Sequence, residues 1–184
     1  MSFLQNRAVA VILAAVVVVS STLLAGRANL TRACAAQEEA FFTVSEGKAP
    51  VYYIDQLISA SASLANLAEK YDYADNAAAL RQARQELLRA EEARDIPGMY
   101  AACQDLYAAV RAFDNFSVSE LTQDNLHDPG LFIDNVTVIS GAASQLEKSG
   151  YNDAVTEFLQ KTYHRFPSSV FAGLFSIPAP ALFA

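Results

Sequence analysis

The chain has 184 residues, of which 53% are apolar, and 13 Lys and Arg against 20 Asp and Glu give a formal charge of −7. That length suits one domain with a real core, and the acidic balance excludes nucleic acid as the main partner, because phosphate binding needs concentrated Lys and Arg. Only 7 Gly and 6 Pro punctuate a composition rich in Ala, Leu, Gln and Glu, which favours helices over a sheet.

The first predicted element is "AVAVILAAVVVVSSTLLAG", residues 8–26, which carries no charge and is flanked by Arg7 and Arg27. As a helix it is long enough to cross a hydrocarbon core of about 30 Å, with Ala8, Val11, Leu13, Val17, Leu23 and Leu24 as anchor residues. A cleaved signal peptide with Ala28 before the cut is the competing reading. The apolar run exceeds a usual signal core and Arg27 stands just before the candidate site, so an uncleaved anchor over residues 1–27 is preferred. Arg7 and the amino terminus nearly balance Arg27 and Arg32, which leaves the orientation open.

Residues 28–184 read as a helical domain. "RANLTRACAAQEEAFFTVSEG" continues the first helix as a stalk with Leu30, Ala33, Cys34, Phe41 and Val44 near one face. Gly47 and Pro50 supply a stop and a restart. No Gly or Pro occurs over residues 51–96, and the spacing predicts one long helix there, kinked near residues 72–75, with Leu57, Leu64, Leu67, Leu80, Leu87 and Leu88 inside. A shorter helix starts at Pro97 with Asp95 as its cap. "DNFSVSELTQDNLHDPG" is a connecting loop. The last helix is expected from about Leu131 to Phe166, on a stripe of Val136, Ile139, Ala143, Leu146, Gly150, Ala154 and Phe158.

That last helix contains "YNDAV" at residues 151–155 and runs into "RFPSSVFAGLF" at residues 165–175. The pair resembles the C-terminal signature of the LemA family, in which a helix with Y-N-x-A-V runs into F-P-S-x-x-x-A-G-L-F and a short tail holding a proline and a terminal aromatic. The matching positions are Tyr151, Asn152, Ala154, Val155, Phe166, Pro167, Ser168, Ala172, Gly173, Leu174 and Phe175, with Pro180 and Phe183 in the tail. The chain departs from the family where "SEGKAPVYYIDQLI" offers only Lys48 as a basic residue, and where "SGAAS" fills residues 140–144. The resemblance implies a divergent member: an all-α protein in which a transmembrane helix continues into an antiparallel bundle of long helices, in the inner membrane of a bacterium. It implies membrane lipid or an unidentified protein as partner, and it brings no catalytic residues with it.

The residues themselves offer little chemistry. Asp124, His127 and Asp128 in "DNLHD" could together hold a divalent metal, but Asn, Asp and Pro before a helix are turn and cap formers, and no metal is expected. His164 lies at a charged helix end, where a cation complements the dipole. Cys34 and Cys103 sit outside any CxxC or CxxCH setting and read as buried thiols, one bridge being open to them outside the cytoplasm. No GxSxG elbow, Gly-rich phosphate loop or HExxH occurs, so neither an enzyme nor a cofactor is expected. At helical spacing Tyr151, Ala154, Val155 and Phe158 read as core, with Asn152 and Asp153 outside. A released bundle binding a small ligand is the alternative to a tethered module.

One feature resists the pattern of a soluble domain: residues 168–184 contain no charged side chain, yet Pro167, Pro178 and Pro180 forbid a spanning helix. Counting helix directions brings this tail back towards Arg27, where Phe171, Leu174, Phe175 and Phe183 meet the headgroups or the stalk base. A full turn near Asp72 would reverse that count.

Overall fold

A computed structural model describes residues 7–43, 49–115 and 128–184, and every regular element among them is helical. The elements are α1 (Arg7–Phe42), α2 (Pro50–Lys70), α3 (Ala74–Glu92), α4 (Ile96–Arg111), α5 (Asp128–Glu147), α6 (Tyr151–Phe158) and α7 (Ser168–Phe175). A 3₁₀ turn, Ala112–Asn115, follows α4, and a π-helical turn, Leu159–Tyr163, prolongs α6. The chain divides into two compact units, Met1–Glu39 with Asp153–Pro180, and Ala40–Asn152 with Ala181–Ala184.

In the larger unit α2 packs against α3 and α5, and α3 packs against α4. The buried side of α2 alternates Ile54, Leu57 and Leu64 with the small Ala60, Ser61, Ala65 and Ala68, which lets helices approach closely. Ser61 is fully buried but satisfied, its hydroxyl donating to the Ile58 carbonyl at 3.0 Å. Leu57, Leu80, Leu87, Met99 and Leu106 are completely enclosed, each worth about 1.5–3 kcal/mol of apolar burial. Pro50 opens α2 in its first turn, as expected; Val44 and Gly47 lie outside the described residues. Asp95 caps α4 by accepting from the Gly98 N–H at 3.1 Å. Its carboxylate sits where a side chain at position 98 would begin, so only glycine leaves room for this cap.

Residues 51–96 do not form one helix. The chain reverses after Lys70 through Asp72, whose φ is 62°, with Tyr73 N–H donating to Ala68 O at 2.9 Å and Asp72 N–H to Glu69 O at 3.2 Å. The end of α3 repeats the device: Arg94 has φ 54°, and Asp95 N–H donates to Ala90 O at 2.8 Å. Both are Schellman ends in which a non-glycine residue takes the left-handed position, at a cost of roughly 1–2 kcal/mol each. The Arg94 guanidinium lies 4.1 Å from the centroid of the Phe42 ring, an attraction that offsets part of that cost.

The last helix is also two. It begins at Asp128 and is broken after Glu147, where Gly150 has φ +72°. Gly150 is therefore a helix-ending residue and not a packing contact within a helix. The break shifts the apolar register by one residue: Tyr151 and Val155 are buried, whereas Ala154 is exposed.

Candidate membrane-facing site

The helix α1 has 36 residues, and it is uncovered over its first half. Val11, Leu13, Val17 and Leu24 are exposed, Val11 by 68%, and Ala8 lies in the same helix. This is the one helix among the described residues long and apolar enough to cross a membrane, and its most apolar stretch is wholly uncovered. Cover begins at Leu23 and follows a seam of three- and four-residue steps: Leu23, Gly26, Leu30, Cys34.

What covers the seam is the tail. After the exposed Phe166 and Pro167, α7 lays Phe171, Ala172 and Phe175 towards α1. They join Leu30, Cys34 and Ile177, with Phe158 and Tyr163 alongside, in one apolar cluster. The Phe171 ring rests on bare backbone at Gly26, where an added Cβ would stand 2.4 Å from Cζ. The Arg27 guanidinium lies 5.5 Å from the centroid of the Phe175 ring. Tyr163 fixes the segment beyond α7 by donating from its hydroxyl to Ile177 O at 2.7 Å. Ser176, with φ 49°, ends α7, and Ile177 N–H donates back to Ala172 O at 3.1 Å. The other side of α7 faces outward: Phe166 is 84% exposed, Val170 51% and Leu174 59%. Gly173 is exposed and Ser168 half-buried.

The tail thus meets the stalk base through Phe171 and Phe175, although the turn at Asp72 does occur. The helix count fails as an argument because the chain turns fully at residues 71–73, which alone would reverse it, and is interrupted again at residues 148–150, which was not expected. Phe183 departs from the expectation. It belongs to the larger unit, where its ring lies 5.5 Å from that of Phe41 and 5.3 Å from that of Tyr100.

Asn152, expected to face solvent, is the clamp that holds it. Its amide nitrogen donates to Phe183 O at 2.8 Å and its amide oxygen accepts from Phe183 N–H at 2.9 Å. Tyr151 is core, as expected, but its hydroxyl also donates to Ala181 O at 2.7 Å, and its ring meets Phe41 edge-on at 5.1 Å. No local pattern announces such a clamp, because its two halves are far apart in sequence.

The remaining candidates are accounted for structurally. Asp128 is buried and accepts from the Lys70 ammonium and from the Tyr71 hydroxyl, the latter at 2.6 Å. Asp124 and His127 lie outside the described residues, and among those described no group of three His, Cys, Asp or Glu could hold a metal. His164 closes the π-helical turn, its N–H donating to Leu159 O at 3.0 Å, with Tyr163 edge-on beside it. Cys34 and Cys103 are both free and buried. Burial pushes the Cys103 thiol up to about 12, and burial together with that thiol raises the Tyr107 phenol. Such a thiol is inert at neutral pH. Cys103 and Tyr107 line a cavity of about 280 Å³ with Tyr100, Leu146, Glu147 and Phe183.

Compared with protein-family models, curated proteins and solved structures, the chain matches none.

Proposed function

We propose that the chain is a single-pass, membrane-anchored helical module without catalytic activity, a divergent LemA-like protein of a bacterial inner membrane that tethers its larger unit to the bilayer for binding a protein partner or the membrane surface. The observation that carries this reading is the uncovered apolar stretch of α1. An apolar surface of that extent is stable only in lipid or against another apolar surface. The seat of the tail supports an anchor that is not cleaved. A cut near Ala28 would remove Gly26 and Arg27, on which Phe171 and Phe175 rest.

The antiparallel bundle expected of the larger unit is supported by its cross-helix bonds. Glu69 pairs with Arg81, and Ile58 O accepts from Arg84 Nε at 3.1 Å, so one helix is followed forward as its neighbour is followed back. A partner surface is suggested on α5, where Leu131 and Ile133 are each 52% exposed and Val138 is exposed as well. The second reading, a released bundle that binds a small ligand, draws on the cavity beside Cys103. At about 280 Å³ that space lies at the lower edge of ligand sites, which run from roughly 300 to 1,000 Å³.

Extraction of membranes from cells expressing the full chain tests the proposal. The protein is expected to stay with the membrane in alkaline carbonate and to leave it only in detergent. Release into the carbonate supernatant would overturn the anchor and favour the ligand-binding bundle.

A further inference from the structure

The helix α7 is apolar on two faces, and the tethered-module reading explains only one of them. Phe171, Ala172 and Phe175 are used against α1. Val170 and Leu174, one turn apart on another side, are left exposed, as is Phe166 just before the helix. We infer that α7 lies in the polar–apolar boundary of the bilayer, with Val170, Leu174 and the preceding Phe166 in lipid and the side bearing Phe171 and Phe175 docked on α1. This inference rests on α1 spanning the membrane.

Position identifies lipid as the occupant. The Phe171 ring sits on Gly26, four residues beyond Thr22, where the continuously uncovered part of α1 ends. At 1.5 Å per residue that is about 6 Å along the helix, so α7 stands about one helical turn from the hydrocarbon-spanning stretch. Leu24, within that interval, is itself exposed. A surface that emerges from lipid and is continuous with an exposed apolar helix face is covered by the same lipid.

Charge is distributed to match. Residues 168–184 contain no Asp, Glu, Lys or Arg, whereas Arg27 lies over Phe175 and Arg165 stands just before α7. Cations flanking apolar side chains reach outward to phosphates while the apolar groups go deeper. The helix has 8 residues, too few to span, which leaves the interfacial orientation. Its backbone tolerates that setting. Ser169 N–H donates to Arg165 O at 2.9 Å, Val170 N–H to Pro167 O at 3.1 Å, and the Ile177 N–H returns to the last turn.

The chain contains no Trp, so a single introduced indole reports on its own surroundings. Full-length Leu174→Trp and Val170→Trp proteins are reconstituted in phosphatidylcholine–phosphatidylglycerol vesicles whose chains are brominated either just below the headgroup or near the bilayer centre. A Val17→Trp protein reports on the spanning helix, and an Ala101→Trp protein on the exposed side of α4. Both α7 reporters are expected to lose most of their emission to the shallow bromines and less to the deep ones. The Val17→Trp emission is expected to fall most with the deep bromines, and the Ala101→Trp emission to stay unchanged. If the Val17→Trp protein is quenched while neither α7 reporter is, the anchor stands and the interfacial helix is overturned. Blue-shifted but unquenched emission from the α7 reporters overturns it equally, and points to a second copy or another protein over that face. If Val17→Trp is also unquenched, the spanning helix fails and this inference with it.

Discussion

Leu87 and Leu174 are the same side chain in two settings. Leu87, in the larger unit, is 0% exposed, while Leu174, on α7 of the smaller unit, is 59% exposed. The larger unit has an enclosed apolar core: Leu57, Leu80, Leu87 and Leu106 are closed inside, ion pairs lie on the surface, and the buried Asp128 is answered by Lys70 and Tyr71. The smaller unit encloses a few residues, among them Leu30, Cys34, Val155, Ala172 and Ile177, and leaves apolar residues uncovered on both α1 and α7. Water selects the first arrangement and penalises the second. The contrast is what a protein divided between two solvents should display.

The sharpest way to break that comparison is to truncate both leucines in the detergent-solubilised full chain. Leu87→Ala is expected to destabilise the larger unit by about 2–5 kcal/mol, read by urea unfolding followed by circular dichroism. Leu174→Ala is expected to change stability by less than about 0.5 kcal/mol, since no enclosed volume is lost. Equal costs would mean that α7 is buried after all.

Next in size is Gly26→Leu. The new side chain would occupy the place of the Phe171 ring, an overpacking worth roughly 1–3 kcal/mol, and hydrogen exchange in α7 should rise while exchange in α2 and α3 stays as it was. A rise spread through both units would contradict the confinement of this contact to the smaller one.

Asn152→Ala removes the paired bonds to Phe183 and should weaken the docking of the last residues by about 1–2 kcal/mol. The expected signs are faster exchange of the Phe183 amide and a larger cavity beside Tyr100, with helix content unchanged.

These substitutions also mark how far the sequence could be read. The helical class and the start of α4 were legible because Asp95, Pro97 and Gly98 state a helix start in adjacent residues. The leucine stripes of α2 and α3 were legible through their spacing. The full turn at Asp72 was legible only as a kink, because a left-handed helix end announces itself through glycine, and here Asp takes that position. Gly150 carried the signal of a helix end but lay inside the expected helical stripe, which put Ala154 in the core beside Tyr151 and Val155, where only the latter two belong. Of the membrane-facing site, the charge-free stretch and the apolar tail could be seen. Their junction at Gly26 could not, since it joins residues far apart in the chain.

The smallest expected effect is electrostatic and tests how water-exposed the larger unit is. Burial, and next the Asp55 carboxylate, raise the Glu91 carboxyl above its ordinary 4.5. The folded state therefore holds that proton more tightly than the unfolded chain. Stability falls as pH rises from 4.5 to the raised value and is level above it, with respect to this group. Glu91→Gln should remove that slope and raise stability at neutral pH by less than about 0.5 kcal/mol, because solvent still screens a group that is only partly buried. A steeper slope in the variant would reverse the sign of the argument.

The most direct test of the central claim, that α1 stays attached and serves as both membrane span and seat for the tail, is the intact mass of the protein recovered from membranes. The account predicts a chain that retains residues 7–26 together with the whole tail. A mature chain beginning near Asn29 would contradict it, since Phe171 and Phe175 would then have lost Gly26 and Arg27.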